Sequence, residues 1–334
     1  MDYSFISGQI RAQESKLLNV NRLDRMIGAN TPEDAFRVLS ELQYSEFLDE
    51  NASAQSFDSI ISYGLVETKE MIEKGVEENS GLLFIWLRFD INNFKRALKR
   101  KLLEGKTSLG EFTQENGYSS LGTIGEEGVE KIVFKGQLLE GIDEEFLEVV
   151  SRAQEILDKN NNEFRFVEYA LDQVYFQVLN SFSKKSYSTF LKDLFSYMAQ
   201  STNFRNLARS VFILEEKIPK ETWIPFGKLS YLDVEKTENF SDFIKVTERT
   251  NFSGVAEDLS ESNGVENLVI IEKYLDKCYQ NFLDESVLGE IASIQIPFVY
   301  FEKRLQNSRL LKFVMFAKFN GLSSKEIYKT LEKF

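Results

Sequence analysis

Apolar residues recur along this chain at three- and four-residue intervals. Phe57, Ile60, Ile61, Gly64, Leu65, Thr68, Met71 and Ile72 fall on one stripe, the spacing that lines one face of a helix. Leu83, Leu87, Ile91, Phe94 and Leu98 make a second stripe. Phe298, Phe301, Leu305, Leu311 and Met315 make a third, with Pro297 placed for a first helical turn. Start signals accompany the stripes. Thr31-Pro32-Glu33-Asp34 supplies a capping hydroxyl, a proline at the first helical position and an acid in the first turn. Ser108 with Glu111, and Ser323 with Glu326, fit the S-x-x-E capping box. Residues 115–128, 160–162 and 260–264 are rich in Gly, Asn and Ser and predict connections. No segment alternates as a strand does; Ile132 to Phe134 is compatible with either an extended or a helical run. The expected class is all-α.

The chain also repeats itself. Glu168, Leu171, Asp172 and Tyr175 spell E-x-x-L-D-x-x-Y, and Glu272, Leu275, Asp276 and Tyr279 spell it again. Each is followed, after the same interval, by N-x-R-x-L: Asn203, Arg205 and Leu207, then Asn307, Arg309 and Leu311. A fainter copy lies upstream, with Asp58, Ile61, Ser62 and Leu65 in the first motif and Asn93, Lys95 and Ala97 in the second. Phe36-Arg37-Val38-Leu39 with Tyr44 is loosely echoed by Phe243-Ile244-Lys245-Val246 with Phe252. The unit is a short helical pair followed by an αα-hairpin, about 105 residues long. Its three copies divide the chain at 1–114, 115–227 and 228–334. The first long helix of each copy carries an apolar stripe and an acid, and the second begins near the Asn and its basic neighbour.

Composition removes several function classes. Hydrophobic residues make up 43% of the 334, with 29 phenylalanines, which is ample for a packed core. Four prolines and 18 glycines are too few for the turns of a β-sandwich of this length. The net charge of −13 opposes phosphate backbones and argues against nucleic acid as a partner. Histidine is absent, which removes the commonest general base, the usual zinc ligand and every Ser-His or Cys-His arrangement. The one cysteine, Cys278, cannot form an internal disulfide and reads as a small buried apolar residue. The start of the chain lacks the blocks of a secretory leader. Its longest apolar run, Leu82 to Leu87, falls far short of the roughly 20 residues a bilayer requires. Gly122, Gly125 and Gly128 lack the Lys and Ser or Thr of a phosphate loop and read as a flexible turn. Neither a metal site nor a cofactor site is expected.

Tyr3-Ser4-Phe5, the run Gln9 to Leu18, and Pro32 to Leu39 with Tyr44 resemble the opening of the C subunit (d in eukaryotes) of rotary V/A-type ATPases. Phe301-Glu302, Asn307, Arg309, Leu311, then Lys318 to Ser323 with Glu326-Ile327, resemble that subunit's ending. The likeness spans nearly the whole chain. It departs at Leu322-Ser323-Ser324, where the family more often continues from a glycine turn to proline, and residues 117–128 do not align. The resemblance implies three similar helical bundles in a funnel with approximate three-fold arrangement. It implies a non-catalytic, peripheral rotor part on the cytoplasmic side, monomeric outside its complex and not inserted in lipid. Such a part seats the central stalk subunits D and F on the membrane proteolipid (c/K) ring. It passes torque between ATP synthesis or hydrolysis and the movement of protons or sodium ions.

Lys95, Arg205 and Arg309 are the candidate stalk-binding residues. The plainer reading is helix capping by Asn203 and Asn307, with Arg205 and Arg309 paired internally to Asp172 and Asp276. Glu168/Asp172 and Glu272/Asp276 are acid pairs on one helix face, read here as ion-paired structural positions ahead of acid–base chemistry. Phe298, Phe301, Phe313, Phe316 and Phe319 read as core ahead of an exposed aromatic face, and Arg96, Lys99, Arg100 and Lys101 as a solvated helix end. A helical-repeat scaffold for peptides or helices is the alternative function, and a carboxylate-only hydrolase a more distant one.

Overall fold

The computed structural model describes residues 2–42, 44, 52–77, 82–106, 108, 118–137, 155, 158–159, 164–185, 188–214, 217–220, 223–261 and 264–331. Its elements are helices, and no strand occurs among the described residues. Ile132 to Phe134 lies in a helix, and Glu111 of the first expected capping box lies outside the described residues. Contacts divide the chain into two compact units, Met1–Leu82 with Tyr279–Phe334, and Leu83–Cys278.

The first unit contains α1 (Ser4–Glu14), α2 (Val20–Gly28), α3 (Pro32–Arg37) and α4 (Phe57–Gly75). Two further helices, α12 (Gln295–Phe319) and α13 (Ser324–Leu331), complete it. The caps form as expected. The Thr31 hydroxyl accepts from the Asp34 amide at 3.1 Å, and Ser323 and Glu326 bond reciprocally. Helix α12 lies along α4. Leu311, Val314 and Met315 of α12 join Phe36 and Leu39 from the short helices and Phe57 and Ile61 from α4 in one core. Each such side chain contributes about 1.5–3 kcal/mol on burial. The start of α12 departs from the expected single stripe, since Ile296 to Glu302 are all buried; a helix covered on every side loses its amphipathic period. Phe298 and Phe301 are core, whereas Phe316 and Phe319 are largely exposed and pack on Phe57. Lys318, which interrupts an apolar run, is buried and donates to the Ile27 and Ala29 carbonyls at 2.5 and 2.7 Å. It thereby closes the carboxyl end of α2, and burial lowers its pKa.

The second unit contains α5 (Leu87–Leu103), α6 (Glu126–Lys135), α7 (Phe164–Lys185), α8 (Thr189–Arg209), α9 (Tyr231–Lys236) and α10 (Phe240–Thr247). Most of α11 (Gly264–Ser286) belongs to it as well. Its core repeats the logic of the first. Phe204, Leu207 and Ala208 of α8 meet Phe243 and Val246 of α10 and Ile271 and Leu275 of α11. Phe204 stacks on Phe243 at 5.5 Å between ring centroids. The Asn239 side chain caps α10 by accepting from Asp242, as Thr31 caps α3 by accepting from Asp34, so the echoed Phe36 and Phe243 blocks are equivalent short helices.

Candidate functional site

The N-x-R/K motifs lie well inside the second hairpin helices rather than at their starts. Helices α5, α8 and α12 begin at Leu87, Thr189 and Gln295, and α8 takes its cap from Ser188, whose hydroxyl accepts from Leu191. The asparagines therefore do not cap. Each clamps a preceding or following loop by its side-chain amide. Asn93 donates to the Ser119 carbonyl and accepts from the Ser119 amide, both at 2.9 Å. Asn203 donates to the Ile224 carbonyl at 2.8 Å and accepts from the Ile224 amide at 3.3 Å. Asn307, with its amide turned to suit its neighbours, accepts from Leu18 at 2.9 Å and donates to Lys303 at 3.3 Å. An asparagine side chain imitates a peptide unit, so Asn93 and Asn203 each satisfy both backbone groups of one loop residue.

Two residues further on, the basic positions point to neighbouring helices. Lys95 Nζ lies 2.6 Å from Asp172 Oδ1. Arg205 Nε lies 2.6 Å from Glu272 Oε2, its Nη2 lies 3.5 Å from Asp276 Oδ1, and Arg209 adds a contact to Glu272 at 3.6 Å. Arg309 differs. It is exposed and has no ion pair among the described residues. One turn later Lys312 takes the equivalent role, 2.7 Å from Asp58 Oδ1 and 2.9 Å from the Ser62 hydroxyl. Arg205 thus pairs with acids of the following repeat, and Asp172 is taken by Lys95 of the preceding one. The second helix of one repeat meets the first helix of the next, and α12 meets α4. These pairs are partly exposed, so each contributes about 0–1 kcal/mol and serves register more than stability. Glu272 and Asp276 share Arg205, so this acid pair is the structural ion-pair position anticipated, and no cluster suited to a metal ion occurs among the described residues.

Three residues before each asparagine stands a polar residue that the sequence motif did not reveal: Asp90, Gln200 and Arg304, all buried. Their chemical types differ, so no letter repeats. The Asp90 carboxylate accepts from the Thr123 amide and hydroxyl and from the Ile124 amide at 2.8–2.9 Å. The expected flexible turn at Gly122 is therefore a cradle. A Cβ there would sit 2.2 Å from Asp90 Oδ1, so only glycine permits the approach. Nearby, burial, with Asp90 and Glu126 adding to it, pushes the Tyr118 hydroxyl up to about 12. Beside the Arg205 cluster, burial raises the Tyr197 pKa, Cys278 adding to it, and the Tyr197 hydroxyl donates to the Leu275 carbonyl at 3.1 Å. Cys278, expected to be buried, is half-buried. Of the basic run, Lys101 donates to the Val133 carbonyl at 2.7 Å and Arg100 reaches Glu104 at 3.9 Å, while Arg96 and Lys99 are exposed.

Among known families, the model of the ATP synthase (C/AC39) subunit matches residues 6–330. The chain belongs to that family. The family is an accessory subunit of the V/A-type ATPase, distinct from the catalytic one. No curated protein sequence matches the chain. No described helix of this C/AC39 subunit is long and apolar enough to cross a membrane.

Proposed function

We propose that this C/AC39-family chain is the non-catalytic rotor part that seats the D–F central stalk on the proteolipid ring, on the cytoplasmic side. There it passes torque between ATP turnover and proton or sodium movement. The observation that carries the reading is the family match over residues 6–330. The hairpins support it. Helices whose loops are clamped by buried asparagines and whose neighbours are fixed by ion pairs resist deformation, as a part under torque must. In that role the three sequence repeats, 1–114, 115–227 and 228–334, would each supply one bundle of a roughly three-fold socket for a single stalk.

Arg309 is the leading stalk contact among Lys95, Arg205 and Arg309, because its charge is exposed and not engaged by a described acid. Lys95 and Arg205 reach a partner only by exchanging the carboxylates they already hold. Titration calorimetry against the same organism's D–F pair tests the reading. The expected result is a one-to-one complex, weakened about tenfold or more by Arg309→Glu. No binding by folded, monomeric protein would overturn it and favour a helical-repeat scaffold for other helices.

A further inference from the structure

Helices α1, α4 and α12 of the first unit, with Lys16 just beyond α1, line a solvent-open pocket of about 500 Å³, within the size range of small-ligand sites. Arg304 lines it and is 3% exposed. The guanidinium donates to the Thr68 hydroxyl at 3.3 Å and the Gly64 carbonyl at 3.1 Å, and lies 4.8 Å from the Tyr44 ring centroid. All three partners are neutral, and no carboxylate pairs with Arg304 among the described residues. Buried cations are costly unless an anion meets them.

The equivalent positions in the other repeats are satisfied by protein. Asp90 takes three donors from residues 123 and 124. Gln200 accepts from Asn251 at 3.4 Å and donates to the Ser196 hydroxyl at 3.0 Å. Arg304 instead opens on a cavity.

We propose that this cavity binds a small monocarboxylate with a short apolar body. A planar guanidinium offers paired N–H donors that match a carboxylate. Lys16 and Lys74 also line the cavity, opposed by Glu67 and Glu70. Together with Arg304 this leaves one positive charge in excess, which suits a monoanion rather than a phosphate dianion. Phe5, largely exposed, and Met71 supply apolar wall for the body of the ligand.

The test is titration calorimetry of the full chain with sodium benzoate, with inorganic phosphate as competitor. Saturable one-to-one binding is expected, weakened about tenfold or more in Arg304→Gln and also in Arg304→Lys, which keeps the charge but loses the fork. Circular dichroism checks that these variants fold. The rim variant Lys16→Glu/Lys74→Glu alters only solvent-facing charges and is expected to weaken binding about threefold or more. Absence of saturable benzoate binding, undiminished binding in the rim variant or in folded Arg304→Gln, or tighter binding of phosphate than of benzoate would each overturn the assignment. The stalk is not needed for this experiment, so its failure leaves the rotor reading untouched.

Discussion

Replacing Asn203 by alanine separates a structural clamp from a surface contact. The side chain is fully buried and holds both backbone groups of Ile224, a residue that is itself buried. The further approach to the Phe226 carbonyl, at 3.5 Å, is at the limit of a hydrogen bond and contributes little. Alanine would leave one buried N–H and one buried C=O without partners. At about 1–3 kcal/mol for each orphaned group, the expected loss is about 2–4 kcal/mol after partial rearrangement. Two residues away, Arg205→Ala breaks ion pairs to acids that are 42% and 68% exposed, and is expected to cost about 0–1 kcal/mol. Urea unfolding followed by both circular dichroism and tryptophan fluorescence compares the two variants. Two probes are needed because a chain with two compact units need not unfold in one step. Hydrogen exchange at the Trp223, Ile224 and Phe226 amides should accelerate in Asn203→Ala and stay unchanged in Arg205→Ala. If Asn203→Ala shifts the unfolding midpoint no further than Arg205→Ala, or leaves exchange at the Trp223, Ile224 and Phe226 amides unaltered, the clamp is not what the asparagine provides.

Two other perturbations follow from the same geometry. Gly122→Ala places a methyl group against a carboxylate fixed by three donors; a loss of about 1–3 kcal/mol is expected by thermal or urea unfolding, and a neutral outcome would mean the cradle yields freely. In acid, Glu41, Glu127 and Glu326 have pKa values held below the ordinary 4.5 by hydrogen bonds from Arg25, Lys131 and Ser323, and Asp242 below 3.8 by Lys245. Folded-state values below the unfolded ones mean stability that is present above the unfolded values and lost as pH falls through the folded ones. The melting temperature should therefore be level above about pH 5 and decline below it; a rise on acidification would contradict these pairings.

Much of the hairpin framework was legible in one dimension because helix start and face are local properties. Thr31, Ser323 and the stripe from Phe57 to Ile72 each act within a few residues of themselves, so spacing alone identifies them. The repeated Asn and Arg letters marked the right positions but not their roles. Asn203 reads as a cap until Ile224 is seen beside it, and Gly122 reads as a loose turn until Asp90 fills the space above it. Arg304 carried no signal, because Asp90, Gln200 and Arg304 share a place in the fold without sharing a chemistry.

The sequence by itself determined that the chain is helical, that its hairpin motif recurs, and to which family it belongs, since periodicity, caps and motif order are all written along the chain. Only the tertiary structure decided what each apolar face covers. In both units the second helix of one repeat packs with the short helices and first helix of another: α8 with α10 and α11, and α12 with α3 and α4. A hydrophobic period states that a face must leave water but not which surface will cover it. That choice rests on shape and charge among residues far apart in sequence, such as Lys312 and Asp58 or Lys95 and Asp172.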